Sequence, residues 1–276
     1  MRIMISADME GATGVTWTAD VETNSPQWER FRPMFTGDVN ACVAGLFAGG
    51  ATDVLVNEAH SAQRNILLER LDPRARLLTG RHKPLSMMQG IDSGVDGVVF
   101  LGYHAAAGLD GVLSHTYLPN QITGVWLDGT RASEGRLNAA LAAEYGVPVL
   151  LVTGDDLTCA DAAGYAPSAS AVAVKQCVSR YAAICKPPSV TATEIEEAAR
   201  EAMALAGATT APAPAAHRIE IEFDAAHLAA AAAVVPTVEQ VDVRRVGFDA
   251  ASMTAAMKAF KVVTAIASGA VEGSYG

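Results

Sequence analysis

The stretch that decides the fold runs from residue 3 to residue 11 and reads Ile-Met-Ile-Ser-Ala-Asp-Met-Glu-Gly. Its apolar start predicts a first buried strand, and Asp8 and Glu10 follow where that strand should end. Side chains two residues apart on an extended chain point to the same side. Ligands of open α/β sheets bind at the carboxyl ends of the strands. The Asp-x-Glu pair therefore indicates a site for a metal cation, although a polar loop explains these two residues nearly as well.

Short apolar runs alternate with longer helix-like segments along the chain. The strand-like runs are residues 3–7, 53–57, 75–78, 97–102, 149–153 and 171–174. The helix-like patterns cover residues 38–48, 132–145 and 191–206. This alternation predicts an α/β fold with a mainly parallel sheet flanked by helices in three α/β/α layers.

A change in composition divides the chain near its C-terminal quarter. Residues 207–216 are rich in Pro and Ala without periodicity, which is typical of a linker or an extended crossing segment. Residues 1–206 would form the metal-binding catalytic α/β domain. Residues 217–276 would form a smaller α+β portion of order β-α-β-α, with its second strand at about residues 240–246, unless they continue the main sheet. Residues 112–128 carry two β-like runs and predict a hairpin or an excursion at the sheet edge.

Composition excludes several classes of partner. The chain has 276 residues, half of them apolar, so it can bury a large core without disulfides. A net charge of −10 argues against nucleic acid as a partner. The four cysteines show no Cys-x-x-Cys spacing and are expected to be buried free thiols. Because neither a signal peptide nor a run of ~18 apolar residues is found, a cytoplasmic protein without a membrane partner is expected.

Two further strand-like runs end in side chains that can bind a metal. The run at residues 54–57 is followed closely by His60, and the run at residues 98–102 by His104. Because the carboxyl ends of parallel strands lie at one edge of a sheet, both imidazoles are expected to meet the Asp-x-Glu pair there. Taken alone, His60 could equally be a solvated loop histidine.

Two more candidates lie outside these strand ends. Glu134 stands at the start of a helix-like segment, and His115 lies in a β-like run. Alone, Glu134 is better explained as a first-turn helix acid that the macrodipole favours, and His115 as a half-exposed strand residue. No role is assigned to the remaining histidines, His82, His217 and His227.

The candidate ligands are imidazole nitrogens and carboxylate oxygens without thiolate. This set suits zinc or another first-row divalent ion better than calcium, which prefers oxygen alone. Three carboxylates and two imidazoles exceed the protein ligands that one catalytic zinc usually takes. Two ions bridged by a carboxylate and a hydroxide would account for the surplus, with Asp8 as the natural bridge.

Other charged residues follow strand-like runs. Asp155 or Asp156 is expected to cap the next helix rather than take part in catalysis. Lys175 could orient a substrate carboxylate or carbonyl group, or it could extend into solvent. Motifs for rival chemistries are missing, since the chain has no Gly-x-Gly-x-x-Gly, P-loop, Gly-x-Ser-x-Gly or His-Glu-x-x-His.

Four motifs follow one another along the chain. They are Ser-Ala-Asp-Met-Glu-Gly at residues 6–11, Leu-Val-Asn-Glu-Ala-His at 55–60, Leu-Gly-Tyr-His-Ala at 101–105 and Ser-His-Thr at 114–116. In order and spacing they resemble the DppA-type D-aminopeptidases, a family of metallopeptidases. The likeness continues through Ser133-Glu134 to Lys175 and Arg180, so it covers at least residues 1–190.

The resemblance implies a site with two zinc ions per subunit. Asp8 would be shared between the ions. Glu10 and His104 would complete the ligands of one ion, and His60 and Glu134 those of the other. Two departures from the family pattern bear on substrate preference. They are Glu58-Ala59, where the family commonly has Asp-Ser, and Gly135-Arg136, where an apolar residue and glycine are usual.

The implied activity is the release of N-terminal D-amino acids, D-alanine especially, from short peptides by a ring-shaped homodecamer. A hydroxide that bridges the ions would attack the scissile carbonyl. His115 matches the active-site histidine of the family and would act as proton shuttle, oxyanion stabiliser or nucleophile. Two alternatives remain open. One is a two-metal phosphoesterase or another amidohydrolase, where Lys175, Arg131 or Arg136 would clamp phosphate; the other is a non-catalytic protein that binds a small molecule or peptide.

Overall fold

The computed structural model describes residues 1–210, 214 and 216–272. The strands are β1 (Arg2–Ala7), β2 (Asp53–Glu58), β3 (Ala75–Leu78), β4 (Gly97–Leu101), β5 (Ile122–Leu127), β6 (Thr130–Arg131), β7 (Val149–Asp155), β8 (Ser170–Ser179), β9 (Ala182–Cys185), β10 (His217–Phe223), β11 (Glu239–Gln240) and β12 (Arg245–Ala250). The α-helices are α1 (Thr18–Val21), α2 (Pro26–Ala48), α3 (Glu134–Glu144), α4 (Asp156–Tyr165), α5 (Pro188–Ala202), α6 (Ala226–Ala232) and α7 (Met253–Gly269).

The larger sheet has the strand order β3-β2-β1-β4-β7-β8-β9 and is parallel except for β9. Side chains alternate between its faces, because successive residues of a strand point to opposite sides. Ile3 and Ile5 pack in one core with α2 and α5, and Met4 packs in the other core with α3 and α4. Burial on both faces is why β4 is apolar and buried throughout. The predicted parallel sheet with helices on both faces is confirmed.

The second sheet is antiparallel, with the order β11-β12-β10-β5-β6. Strand β10 alternates buried and half-buried positions, with Ile219, Ile221 and Phe223 facing α6 and α7. The C-terminal strands therefore belong to this second sheet and do not continue the larger one. Strands β5 and β6, from the N-terminal part of the chain, complete the second sheet. The division of the chain at residues 207–216 stays a prediction, and part of that segment lies outside the described residues.

Three predicted elements differ from the structure. Helix α2 begins at Pro26 after the Ser25 cap, well before the predicted residue 38, because Pro33 inside the helix hides its length. The strand expected at residues 240–246 is interrupted, because Arg245 closes a turn onto Asp242. The main strand of that region, β12, starts only there.

The hairpin expected within residues 112–128 is also misplaced. Residues 112–121 are irregular, and the hairpin connects β5 to β6 through Asp128 and Gly129, both with positive φ. Such a two-residue Asp-Gly turn matches the twist of the strands that it connects.

Two expectations drawn from composition can be compared with the structure. Of the four free cysteines, Cys42 is buried as expected, but Cys159 and Cys177 are only half-buried and Cys185 is exposed. Within the described residues, no helix combines the length and the apolar character needed to cross a bilayer.

The ends of β1 and β4 approach each other closely at one edge of the larger sheet. The Gly11 amide donates to the Gly102 carbonyl at 2.7 Å, and the Asp8 amide donates to the Leu101 carbonyl at 2.8 Å. Gly102 has φ +71°, and a Cβ there would lie 2.1 Å from the Asp8 carbonyl oxygen. This contact brings the residues that follow β1 next to those that follow β4.

We expect Gly102→Ala to destabilise the protein more than Gly129→Ala. Both glycines have positive φ, but a Cβ at Gly129 meets nothing within 4 Å. The backbone penalty of about 1 kcal/mol should therefore be common to both variants, and the clash with Asp8 should add about 2 kcal/mol or more to the first. Urea unfolding at one protein concentration measures the difference. Equal losses of unfolding free energy would contradict the close approach.

Candidate metal centre

The structure brings all six candidate residues together at the carboxyl edge of the larger sheet. Asp8 and Glu10 follow β1, His60 follows β2 and His104 follows β4. The other two come from outside the sheet. Glu134 is the first residue of α3, capped by Ser133, and His115 lies in the irregular segment before β5. All six side chains are buried, with exposed fractions between 2% and 9%.

Asp8 lies between two imidazoles. Its Oδ1 is 3.5 Å from His60 Nδ1, and its Oδ2 is 3.4 Å from His104 Nε2. Each of the other two carboxylates faces one of these imidazoles, since Glu10 Oε2 is 2.8 Å from His60 Nδ1 and Glu134 Oε2 is 3.5 Å from His104 Nε2. Asp8 is therefore placed to share its two oxygens between two neighbouring sites.

His115 completes the cluster and lies in a loop. The alternative interpretation, a half-exposed residue in a strand, is therefore wrong. His115 Nε2 is 3.6 Å from Glu10 Oε1 and 4.0 Å from Glu134 Oε1. The ring stacks on His104 with 4.1 Å between centroids and 7° between planes. Backbone bonds hold this loop, because the amide of Val112 donates to Asp155 Oδ2 at 2.7 Å and that of Leu113 donates to the Arg180 carbonyl at 2.8 Å.

Three groups of side chains bring their ligand atoms within 4.8 Å of one another. Two of them share Asp8: one adds Glu10 and His60, and the other adds His104 and Glu134. The third joins Glu10, His104 and His115. The division that the family resemblance implies, Glu10 with His104 and His60 with Glu134, is not one of these groups and stays a prediction.

The hydrogen bonds of the histidines show that the cluster fits a cation. The ring nitrogen of each histidine that points away from the carboxylates lies within hydrogen-bond distance of a backbone carbonyl: Val21 for His60, Ala105 for His104 and Leu113 for His115. Donation of N–H to these carbonyls leaves a lone pair on the ring nitrogen that faces the carboxylates, as in metal-binding histidines. Three buried atoms of the cluster have no hydrogen-bond partner in the described structure, namely Asp8 Oδ2, Glu10 Oε2 and His104 Nε2. A divalent cation would satisfy all three.

The pKa shifts of the carboxylates and imidazoles also indicate that positive charge stabilises the cluster. Burial, followed by repulsion from Glu10, raises the pKa of Asp8. Burial opposes ionisation of Glu10, but the nearby imidazoles, His60 first, hold its pKa well below the usual range. Burial also opposes charge on His60 and His104, yet the carboxylates raise both pKa values well above the ordinary one. Without an ion, protons take the place of the missing positive charge.

His115 behaves differently from the other two histidines. Burial and the neighbouring charge of His104 lower its pKa. Its imidazole therefore stays neutral near pH 7, with Nε2 able to accept a proton.

The cluster opens into a cavity of about 680 Å³. Loops that follow the parallel strands form most of its wall, and α7 contributes Lys261, Thr264 and Ser268. A helix from the C-terminal portion thus borders a site whose ligands all come from the first half of the chain.

Comparison with known proteins identifies the family. The model of the peptidase M55 family, described as D-aminopeptidase, matches residues 1–262. The chain belongs to this family. Its membership confirms the resemblance seen in the sequence motifs and identifies the protein as a D-aminopeptidase.

Individual D-aminopeptidases are similar over most of their length. The D-aminopeptidase of Bacillus subtilis (strain 168) is 39% identical over 189 residues, which are 68% of this chain and 69% of that protein. The solved structure of the Zn-dependent D-aminopeptidase DppA from Bacillus subtilis, a self-compartmentalizing protease, has a TM-score of 0.93 at 34% identity. The match covers 97% of this chain and 98% of that chain.

In this D-aminopeptidase, Glu58 supports the loop that carries His60. The Glu58 carboxylate is fully buried and accepts hydrogen bonds from the Asn65 amide and side chain and from the Ile66 amide. Lys83 Nζ donates to the Glu58 carbonyl and to Asn57 Oδ1, both at 2.5 Å, and burial lowers its pKa to about 8. Glu58, which stands where the family commonly has Asp, is therefore buried beneath the loop with its carboxylate hydrogen-bonded.

The structure also decides the roles of Asp155 and Lys175. Asp155 caps α4 by accepting from the Thr158 amide, which confirms the prediction. Lys175 neither extends into solvent nor lines the cavity. Its Nζ is buried and donates to the carbonyls of Glu10 at 2.6 Å, Ala12 at 3.0 Å and Val15 at 2.6 Å, and burial lowers its pKa to about 8. The sequence concealed this role, because these partners lie at least 160 residues before it.

We expect Lys175→Met to destabilise the loop after β1 and to weaken metal binding. The change removes the Lys175 donor from three buried carbonyl oxygens, of which that of Ala12 still accepts from the Val15 amide at 3.3 Å. The loss should cost about 2 kcal/mol or more of unfolding free energy. The matched control is Lys186→Met, because Lys186 pairs with Glu194 on the surface and should contribute at most about 1 kcal/mol. Urea unfolding of metal-free protein and zinc titration measure both effects. Lys175→Met protein as stable as the control would contradict the role of Lys175.

Proposed function

We propose that this D-aminopeptidase uses zinc to remove N-terminal D-amino acids, D-alanine among them, from short peptides. The observation that carries the proposal is the buried cluster in which three carboxylates face three imidazoles and three polar atoms lack a partner. The zinc dependence of the similar Bacillus subtilis enzyme supports it. The cavity of about 680 Å³ is of a size to hold a short peptide.

Five side chains would hold the metal: Asp8, Glu10, His60, His104 and Glu134. Two ions per subunit account for this number of ligands better than one, and Asp8, which presents one oxygen to His60 and the other to His104, would be shared. Bound zinc would supply an activated water near neutral pH and polarise the scissile carbonyl. The division of the remaining ligands that the resemblance implies is part of the proposal.

His115 would be the catalytic proton carrier. Donation of Nδ1–H to the Leu113 carbonyl at 2.7 Å fixes the ring and leaves Nε2 facing Glu10 and Glu134. Because its pKa is lowered, the imidazole starts neutral, and Nε2 would take the proton that the attacking water loses and give it to the leaving amine. Oxyanion stabilisation and direct nucleophilic attack are the alternative roles that variant kinetics would distinguish.

The assembly and location of the protein belong to the same proposal. The description of the similar Bacillus subtilis enzyme as self-compartmentalizing supports a homo-oligomer. A ring-shaped homodecamer and a cytoplasmic location stay predictions.

The three basic residues that a phosphoesterase would use to bind phosphate have other partners in the structure. Lys175 donates to backbone carbonyls, Arg131 donates to the carbonyls of Ala107 and Thr123, and Arg136 pairs with Asp161. The three cations that were candidates for binding phosphate are thus committed elsewhere.

We expect the protein to cleave D-alanyl-p-nitroanilide and to discriminate against the L-isomer by about 100-fold or more. A chelator should abolish cleavage, and added zinc should restore it, because the carboxylate cluster cannot activate water without a cation. Initial rates with both isomers, before and after chelation, measure this. Equal cleavage of the two isomers would contradict the D-specificity, and activity unaffected by chelation would contradict the metal.

We expect His115→Ala to keep its zinc but to lose about 10²- to 10⁴-fold in kcat. Asp8→Ala should lose both zinc and activity, since Asp8 is proposed to hold both ions. His227→Ala is the control, because His227 is exposed on α6. Metal analysis by mass spectrometry and steady-state kinetics test these outcomes. An unchanged rate in His115→Ala would overturn its role, and fewer than about one zinc per unmodified chain would overturn the two-ion site.

A further inference from the structure

A second cavity of about 730 Å³ adjoins the first. Three residues, His115, Asn120 and Arg180, line both cavities. The second cavity therefore begins at the proposed proton carrier, on the side away from Asp8 and His60, which line only the first. A peptide whose scissile bond lies beside His115 can place its N-terminal residue in one cavity and its leaving residue towards the other.

Arg180 is the cation at this junction. Its guanidinium group lies over the Tyr181 ring, 5.6 Å from the ring centroid, and most of its hydrogen-bonding capacity is unused. Within the described structure, its hydrogen bond is a long one, from Nη2 to Asn120 Oδ1 at 3.4 Å, and its Nε is buried without a partner. Its carbonyl accepts from the Leu113 amide at 2.8 Å, which ties its backbone to the loop that carries His115. The side chain is half-buried, so water only partly satisfies it.

The other cations of the first cavity are less suited to bind an anion at this place. Lys83 Nζ is engaged by Asn57 and the Glu58 carbonyl, and Lys261 Nζ donates to the Lys83 carbonyl at 2.7 Å. Arg81 is exposed, and unlike Arg180 it lines only the first cavity.

We propose that Arg180 binds the free α-carboxylate of the peptide substrate. The proposal rests on the proposed aminopeptidase function, because it assigns the leaving residue to the junction beside His115. A guanidinium fork matches a carboxylate in a bidentate arrangement, and partial burial strengthens such a pair. In a dipeptide the α-carboxylate belongs to the leaving residue itself, so Arg180 lies where that group must go.

The substrate carboxylate needs a source of positive charge outside the metal cluster. The carboxylates of Asp8, Glu10 and Glu134, together with a bound hydroxide, would balance the charge of the two proposed zinc ions, so the cluster offers no excess positive charge to it. Arg180 would supply that charge on the leaving-group side and fix the direction in which the peptide binds. The consequence is specificity for substrates whose chain ends directly after the scissile bond.

The test compares D-alanyl-D-alanine with D-alanyl-D-alaninamide, which lacks the carboxylate. The unmodified enzyme should favour the free acid in kcat/KM by about tenfold or more. Arg180→Gln should lower this acid-to-amide ratio by about 10- to 100-fold, mainly through KM for the acid. Arg180→Lys should restore part of the ratio, because it keeps the charge and loses the fork.

The matched control is Arg81→Gln, which removes one positive charge from the exposed rim of the first cavity. It should change the ratio by less than about threefold, since solvent screens it. An unchanged ratio in Arg180→Gln, or an equal fall in Arg81→Gln, would overturn the proposal. If Arg180→Gln does not fold, Arg180→Lys decides, because loss of bidentate binding should still lower the ratio by about threefold.

Failure of the proposed function gives a different result. Unmodified enzyme that cleaves neither dipeptide would overturn the aminopeptidase proposal. Unmodified enzyme that cleaves the acid and the amide equally well would overturn only the role of Arg180.

Discussion

Three carboxylates and three imidazoles buried within a few ångströms of one another impose the constraint on which the rest of this structure depends. Each histidine reaches a backbone carbonyl with one ring nitrogen and presents the other to a carboxylate, so lone pairs face lone pairs. Such an arrangement is stable only around positive charge, supplied by protons or by a metal. Without positive charge the six side chains would repel one another, and the surrounding loops hold them in place against this repulsion.

Buried polar residues beneath the cluster provide the support. Lys175 gathers three carbonyls of the loop after β1, Glu58 binds the loop after β2, and Asp155 holds the loop before His115. Several non-glycine residues that border the cavity have positive φ; they are Ser61, Gln63, His82, Ser86, Leu113, Tyr117 and Asn120. Backbone in this region is costly, and it persists where surrounding contacts determine it. The loops are therefore held rigid where ligands have to be placed accurately.

Much of the larger sheet could be predicted because its strands are local. A parallel strand covered on both faces must be apolar, so β1, β2, β3, β4 and β7 are visible as short apolar runs, and the polar residues that follow them stand out. The second sheet could not be predicted in the same way. Its strand β10 pairs with β5, about a hundred residues earlier, and a pairing of that range leaves no local pattern. The predicted helix at residues 38–48 was too short, because α2 continues through Pro33, a residue type that usually ends a helix.

The sequence by itself determined the chemistry of this protein: which residues can bind a cation, that four of them follow predicted strands, and that their motifs belong to the D-aminopeptidases. Only the tertiary structure decided what surrounds them. It placed His115 in a loop stacked on His104, buried Lys175 beneath Glu10, and set Arg180 between two cavities. The physical reason is that side-chain type and strand period act over a few residues. Burial and hydrogen-bond partners, in contrast, arise between segments that meet only when the chain is folded.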